Sequence, residues 1–119
     1  MSFSYNIEQT DNITSISFNG RLMSTEDNQA IISEVESKIN SGSTLFVLNL
    51  EKLEYMNSSG LNVFVSILTK SRNNSGDVVI CCVSEKINQL LIITKLNSVF
   101  TVTETENEAF EKLSETTEA

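Results

Sequence analysis

Two adjacent hydroxyls, Ser58 and Ser59, stand in the stretch EYMNSSGLNVF, directly before Gly60 and Leu61. They follow the apolar run TLFVLNL (44–50). After them comes a segment whose Leu61, Phe64, Val65 and Leu68 share one side of a helix running from about Ser58 to Ser71. Hydroxyls where a strand hands over to a helix have two uses. In one, Asn57 or Ser58 is the N-cap, accepting a hydrogen bond from an orphan backbone N–H and contributing about 1 kcal/mol. In the other, a serine carries a phosphate, because the free N–H groups and the positive end of the helix dipole favour an anion. A phosphate would add about −1.5 to −2 charges to an exposed corner and repel a docked partner without unfolding the frame.

Other chemistries are disfavoured by absence. The chain has no histidine, which removes Ser-His-Asp and Cys-His catalysis, His-bearing zinc sites and the commonest general base near neutral pH. It has no G-x-S-x-G, Walker A or G-x-G-x-x-G pattern. No enzyme is expected, and no cofactor or metal. Cys81 and Cys82 adjoin in DVVICCVS. Neighbours on a strand point to opposite faces, so the expectation is two buried small apolar residues rather than a disulfide or metal clip. A net charge of −8 and a pI near 4.4, with acid gathered from Glu104 to Glu118, argue against nucleic acid and anionic membrane as partners. The acidic end reads as a solvated helix face whose last few residues fray. No run approaches the ~18 apolar residues of a membrane span, and MSFSYNIEQT lacks the basic and apolar regions of a signal peptide. The expected location is cytoplasmic, without membrane insertion.

The elements that must position the serines follow from periodicity. Length and composition suit one domain spanning 1–119. Phe3, Tyr5 and Ile7 alternate, and beyond the turn-rich QTDN the strand ITSISFNG carries Ile16 and Phe18 in phase, with Ile13 out of phase. STEDNQAIISEVESKIN places Ile31, Val35 and Ile39 on one helical stripe, with Ser24 as N-cap and Asp27 as its partner. TLFVLNL and DVVICCV read as strands covered on both faces. EKINQLLIITKLN reads as a third helix with Asn97 as its C-terminal cap, TVTE as a short strand and NEAFEKLSETT as a last helix. This alternation predicts an α/β fold: a mixed, mostly parallel sheet of four to five strands with about four helices. Its core should include Val47, Leu48, Leu61, Phe64, Val65, Leu68, Val79, Ile80 and Phe100. In such sheets the loops at the carboxyl ends of parallel strands carry function, and YMNSSG is one of them.

The stretch LNLEKLEYMNSSGLNVFVSILTKSRNNSGDVVICCVSEKINQLLIITKLNSVFTV resembles the central part of an anti-sigma factor antagonist, a STAS domain, in which a buried strand leads into an Asp-Ser-Ser/Thr-Gly-Leu turn and a helix. FNGRLM resembles the family's Gly-x-Leu segment, and the likeness runs from Phe3 to about Leu113. It implies a single STAS-like domain acting as a partner-switching regulator of transcription. The unphosphorylated protein would bind an anti-sigma factor that is also its serine kinase, phosphorylation of the first serine would break the complex, and a phosphatase would reverse it. Carried over by residue, the phosphoacceptor is Ser58 and the switch loop comprises Arg21, Met23, Asn57, Ser58, Ser59 and Gly60. ATP and magnesium would belong to the kinase. The alternative is a non-phosphorylated STAS scaffold or regulatory subunit of a lipid-transport or signalling assembly. This chain has Asn57 where the family usually has Asp, and Arg21-Leu22-Met23 where it often has an acidic residue followed by Leu-Asp.

Two further expectations concern the surroundings. If the loops after the second and third strands share a sheet edge, the Arg21 guanidinium can reach a phosphate on Ser58; otherwise Arg21 is an exposed solubilising residue. Leu90, Leu91, Ile92 and Ile93 run consecutively, too many for one narrow stripe, so some are either covered by neighbouring strands or exposed for a partner, and coverage is the expectation.

Overall fold

The polypeptide enters as a hairpin. Strand β1 (Phe3–Thr10) pairs antiparallel with β2 (Ile13–Leu22). Asp11, in the left-handed region at φ 56°, reverses the chain between them. The computed structural model describes residues 3–118. From β2 onward strand and helix alternate: α1 (Thr25–Asn40), β3 (Leu45–Met56), α2 (Ser58–Asn73), β4 (Asp77–Cys81), α3 (Glu85–Ile93), a 3-10 turn (Leu96–Ser98), β5 (Thr101–Thr103) and α4 (Glu106–Glu118). The result is one α/β domain with a five-stranded mixed sheet in the order β1-β2-β3-β4-β5, parallel from β2 to β5. The carboxyl ends of β2 to β5 therefore lie at one edge. The fraying expected of the last few residues concerns side chains outside those described.

The continuous apolar runs are divided between two faces. Phe46, Leu48 and Leu50 of β3 and Val78 and Ile80 of β4 join Ile16 and Phe18 beneath α1, α2 and α3. Leu45, Val47, Val79 and Cys81 face the other way, onto Ala109 and Leu113 of α4. Ile13, out of phase with the hairpin's alternation, belongs to this second cluster. Ser15 and Asn49 both donate hydrogen bonds to the Glu106 carboxylate, at 2.8 and 3.4 Å, fastening α4 to the sheet. The predicted core residues are buried except Val65, which is half-buried.

Three expectations are corrected. Strand β3 does not stop at Leu50. It runs on through EKLEYM, past the last β4 pairing at Asn49–Cys81, and continues against β2 alone as far as Leu22–Met56. Helix α3 ends at Ile93, and Asn97 lies in the 3-10 turn rather than capping it. The Thr94 hydroxyl donates back to the Leu90 carbonyl at 2.8 Å, and Lys95 at φ 65° turns the chain out of the helix. The two cysteines do not point to opposite faces. Cys82 leaves the strand at φ 60°, so it packs half-buried on the same cluster as buried Cys81. Burial, then the hydrogen-bonded Cys82 thiol, push the Cys81 thiol well up from its ordinary range.

Candidate functional site

Because β2 and β3 run parallel and stay paired to Leu22–Met56, through register shifts between Ser17 and Asn19 and between Gly20 and Arg21, the β2–α1 and β3–α2 loops meet at the carboxyl edge of the sheet. Asn57 joins them. Its Oδ1 accepts from the backbone N–H of Gly60 at 2.9 Å, capping α2, and from the Ser59 hydroxyl at 3.0 Å. Its amide Nδ2 donates to the Met23 carbonyl at 3.3 Å, and its backbone N–H donates to the Leu22 carbonyl at 3.4 Å. An aspartate could cap the helix equally well but could not donate to Met23. The amide at this position thus performs a bridging task that a carboxylate cannot. Gly60 is there because the chains touch: an added Cβ would sit 2.7 Å from the Leu22 carbonyl oxygen and 3.2 Å from the Met56 Cβ.

The two serines part company at this point. Ser59 is tied down, donating to Asn57 and accepting from Nδ2 of Asn28 at 3.4 Å. Asn28 is a buried residue on α1, three positions before buried Ile31. Ser58, also exposed, has no hydrogen bond to its hydroxyl among the described residues. Around it the helix terminus is electrostatically open. Helices α1, α3 and α4 carry acidic residues in their first turns and α2 carries none. The positive end of the α2 dipole therefore lacks the built-in counter-charge that the other helices have.

Of the residues singled out in the sequence, Arg21, Met23, Asn57, Ser58, Ser59 and Gly60 all lie at this edge. Arg21 stacks its guanidinium over the Tyr55 ring, 5.0 Å from the centroid, one pair before the end of the β2–β3 register. Met23 is 45% exposed.

On the other side of Ser58 opens a cleft of about 320 Å³ between the start of α2 and helix α3, lined by Tyr55, Asn57, Ser58, Lys86, Ile87, Leu90 and Ile93 among others. Here the expected coverage of α3 fails for half of its apolar run. Ile87 and Leu91 are buried against the core and Leu90 is half-buried, but Ile92 is 51% and Ile93 76% exposed. A nine-residue helix lying on a sheet can bury only one side, and Ile92 and Ile93 fall on the other.

Sequence reasoning missed Asn28, Tyr55, Lys86 and Ile93 as members of this corner. Asn28 left a readable signal: it sits in phase with Ile31 and Val35, a polar residue on the stripe that faces the core. Lys86 left none, because a charged residue in a first helical turn reads as solvated.

With the geometry in hand, the similarities are consistent. A family model for the STAS domain matches residues 4–109. An anti-sigma-B factor antagonist of Staphylococcus aureus is 39% identical over 57 residues, covering 48% of this chain and 53% of that protein, so the match spans about half the length of this curated relative. Among solved structures, an anti-sigma factor antagonist from Mycobacterium paratuberculosis superposes with a TM-score of 0.81 at 17% identity, over 95% of each chain. The anti-sigma factor antagonist SpoIIAA in its unphosphorylated form superposes with a TM-score of 0.76 at 19% identity, over 93% of this chain and 98% of that one. The phosphorylated form of the Bacillus protein gives 0.74 at 21%, over 92% and 98%. The family match covers most of the chain: the chain belongs to the STAS domain family.

Proposed function

We propose that this protein is an anti-sigma factor antagonist that works by partner switching in the cytoplasm. Unphosphorylated, it binds an anti-sigma factor with serine kinase activity and so frees a sigma factor; phosphorylation of Ser58 ends the complex, and a phosphatase restores it. The observation that carries the reading is the division of labour between the serines: Ser59 is bound into the cap while the Ser58 hydroxyl stands exposed and unpartnered at a helix terminus that lacks a counter-charge. Relatives named as anti-sigma factor antagonists, one of them solved in phosphorylated form, support it.

In the phosphoryl transfer, the Ser58 oxygen forms its bond to the γ-phosphorus of ATP as the bond to the β-bridging oxygen breaks and ADP departs. Asn57 cannot take the hydroxyl proton at neutral pH, so the base, like the ATP and magnesium, comes from the partner. The chain itself performs no catalysis. It offers a rigid corner whose charge the partner changes. The exposed side chains of Met23 and Ile93 near that corner give a partner apolar surface to bind.

The test is incubation with the cognate anti-sigma factor and ATP, followed by peptide mass analysis. Phosphate on Ser58 and not on Ser59 is the expected result. Stable binding with Ser58 unmodified would overturn the switch and leave the constitutive scaffold or regulatory subunit as the function.

A further inference from the structure

Two groups facing the cleft between α2 and α3 lack partners. Ser58 stands on one lip with its hydroxyl unbonded, and on the other Lys86 makes no ion pair or hydrogen bond among the described residues. Between them lie Tyr55, Ile87, Leu90 and Ile93. We infer that Lys86 is the receiver of the phosphate on Ser58, closing an ion pair across the cleft and withdrawing its apolar wall from a partner. The inference rests on the reading of Ser58 as the phosphoacceptor and adds how the modification acts.

Electrostatics favours the pairing from both sides. Lys86 occupies the first turn of α3, the end of a helix where the dipole disfavours a cation; neighbouring Glu85 answers that dipole but forms no ion pair with Lys86 among the described residues. The start of α2, by contrast, lacks an anion. A phosphate on Ser58 gives the α2 terminus its anion and Lys86 a partner, and a lysine suits the task because its flexible stem and three rotatable donors can follow a group on a neighbouring element. Arg21, the other cation of this edge, is committed elsewhere: its guanidinium lies on the Tyr55 ring, and it lines a separate hollow with Phe3, Met23 and Asp27. The apolar part of the cleft is the part with most to lose. Ile93 is 76% exposed and Leu90 half-buried, so a hydrated ion pair at the mouth stands where a partner's apolar side chain would enter. Docking there would then strand charge against hydrocarbon.

The full chain carrying phosphoserine at position 58, installed during translation, provides the test, with phosphorus NMR following the second ionisation of the phosphate against pH. A lysine in contact favours the dianion and lowers that pKa. Lys86→Gln should raise it by on the order of half a unit, an exposed pair lying at the low end of such effects, and Lys86→Arg should restore it. Arg21→Gln and Lys52→Gln remove one positive charge each, the latter from a different cavity, and should leave the titration in place. An unchanged titration in Lys86→Gln, a larger shift in Arg21→Gln, or equal shifts in all three charge-removing variants would each overturn the assignment. Because translation, not a kinase, places the phosphate, this result stands apart from the test of Ser58 with partner and ATP.

Discussion

The inner and outer halves of the corner where the β2–α1 and β3–α2 loops meet differ in how their polar groups are used. Inside, Asn57, Ser59, Asn28 and the Leu22 and Met23 carbonyls bond one another, and Gly60 lets the two loops touch. Outside, along the cleft between α2 and α3, Ser58 and Lys86 have no such partners among the described residues and Ile93 is mostly exposed. The inner half holds the two loops together, since Asn57 bridges them and their backbones approach too closely for a side chain at position 60; of its polar side chains only Asn28 is buried, and there Nδ2 is bonded while Oδ1 has no partner among the described residues. The outer half contributes little to stability, which leaves it available for binding and for modification without loss of the fold. Adjacent serines can therefore carry unrelated duties, and type and spacing alone do not separate them.

Substitutions that cross the divide should give graded effects in urea melts. Leu61→Ala, removing a buried side chain just inside the helix, should cost about 2 to 5 kcal/mol. Gly60→Ala should cost about 1 to 3 kcal/mol by overpacking, since the new methyl meets the Leu22 backbone, whose oxygen cannot swing aside as a side chain would. Asn57→Ala removes the α2 cap and the bridge to Met23 and should cost about 1 to 2 kcal/mol. Asn57→Asp should recover the cap but not the bridge, and fall between the two. Smallest of all, Ser58→Ala should shift stability by less than about 0.5 kcal/mol, while Ser59→Ala exceeds it by taking the acceptor from Nδ2 of Asn28, whose Oδ1 already has no partner among the described residues. Equal shifts for the two serines would erase the contrast between the halves.

Much of the inner half was legible beforehand. The strand–turn–helix sequence around Asn57, the stripe of Leu61, Phe64 and Leu68, and the two-faced apolar runs follow from periodicity, because burial imposes periods on chains that have a sheet to cover. What was not legible depends on where one element ends relative to another. EKLEYM is a strand because β2 reaches that far while β4 does not, a property of register rather than of composition. Cys82 turns onto the face of Cys81 through a left-handed φ that an L-residue rarely adopts. The exposure of Ile92 and Ile93 follows from the short length of α3, which its apolar content concealed. The cleft that brings Lys86 to the same space as Ser58 is a meeting of two helices across the sheet edge, and nothing in either helix announces the other.

A change at Ser58 should alter binding while leaving the fold alone, so the most direct measurement takes both readings from one sample. The Ser58→Asp variant should unfold in urea with the wild-type midpoint or slightly above it, because a carboxylate at a helix N-terminus is tolerated or stabilising. The same sample should bind the cognate anti-sigma factor at least about tenfold more weakly, a loss of ~1.4 kcal/mol, whereas Ser58→Ala binds like wild type. A Ser58→Asp protein that keeps both its stability and its wild-type affinity would contradict the claim.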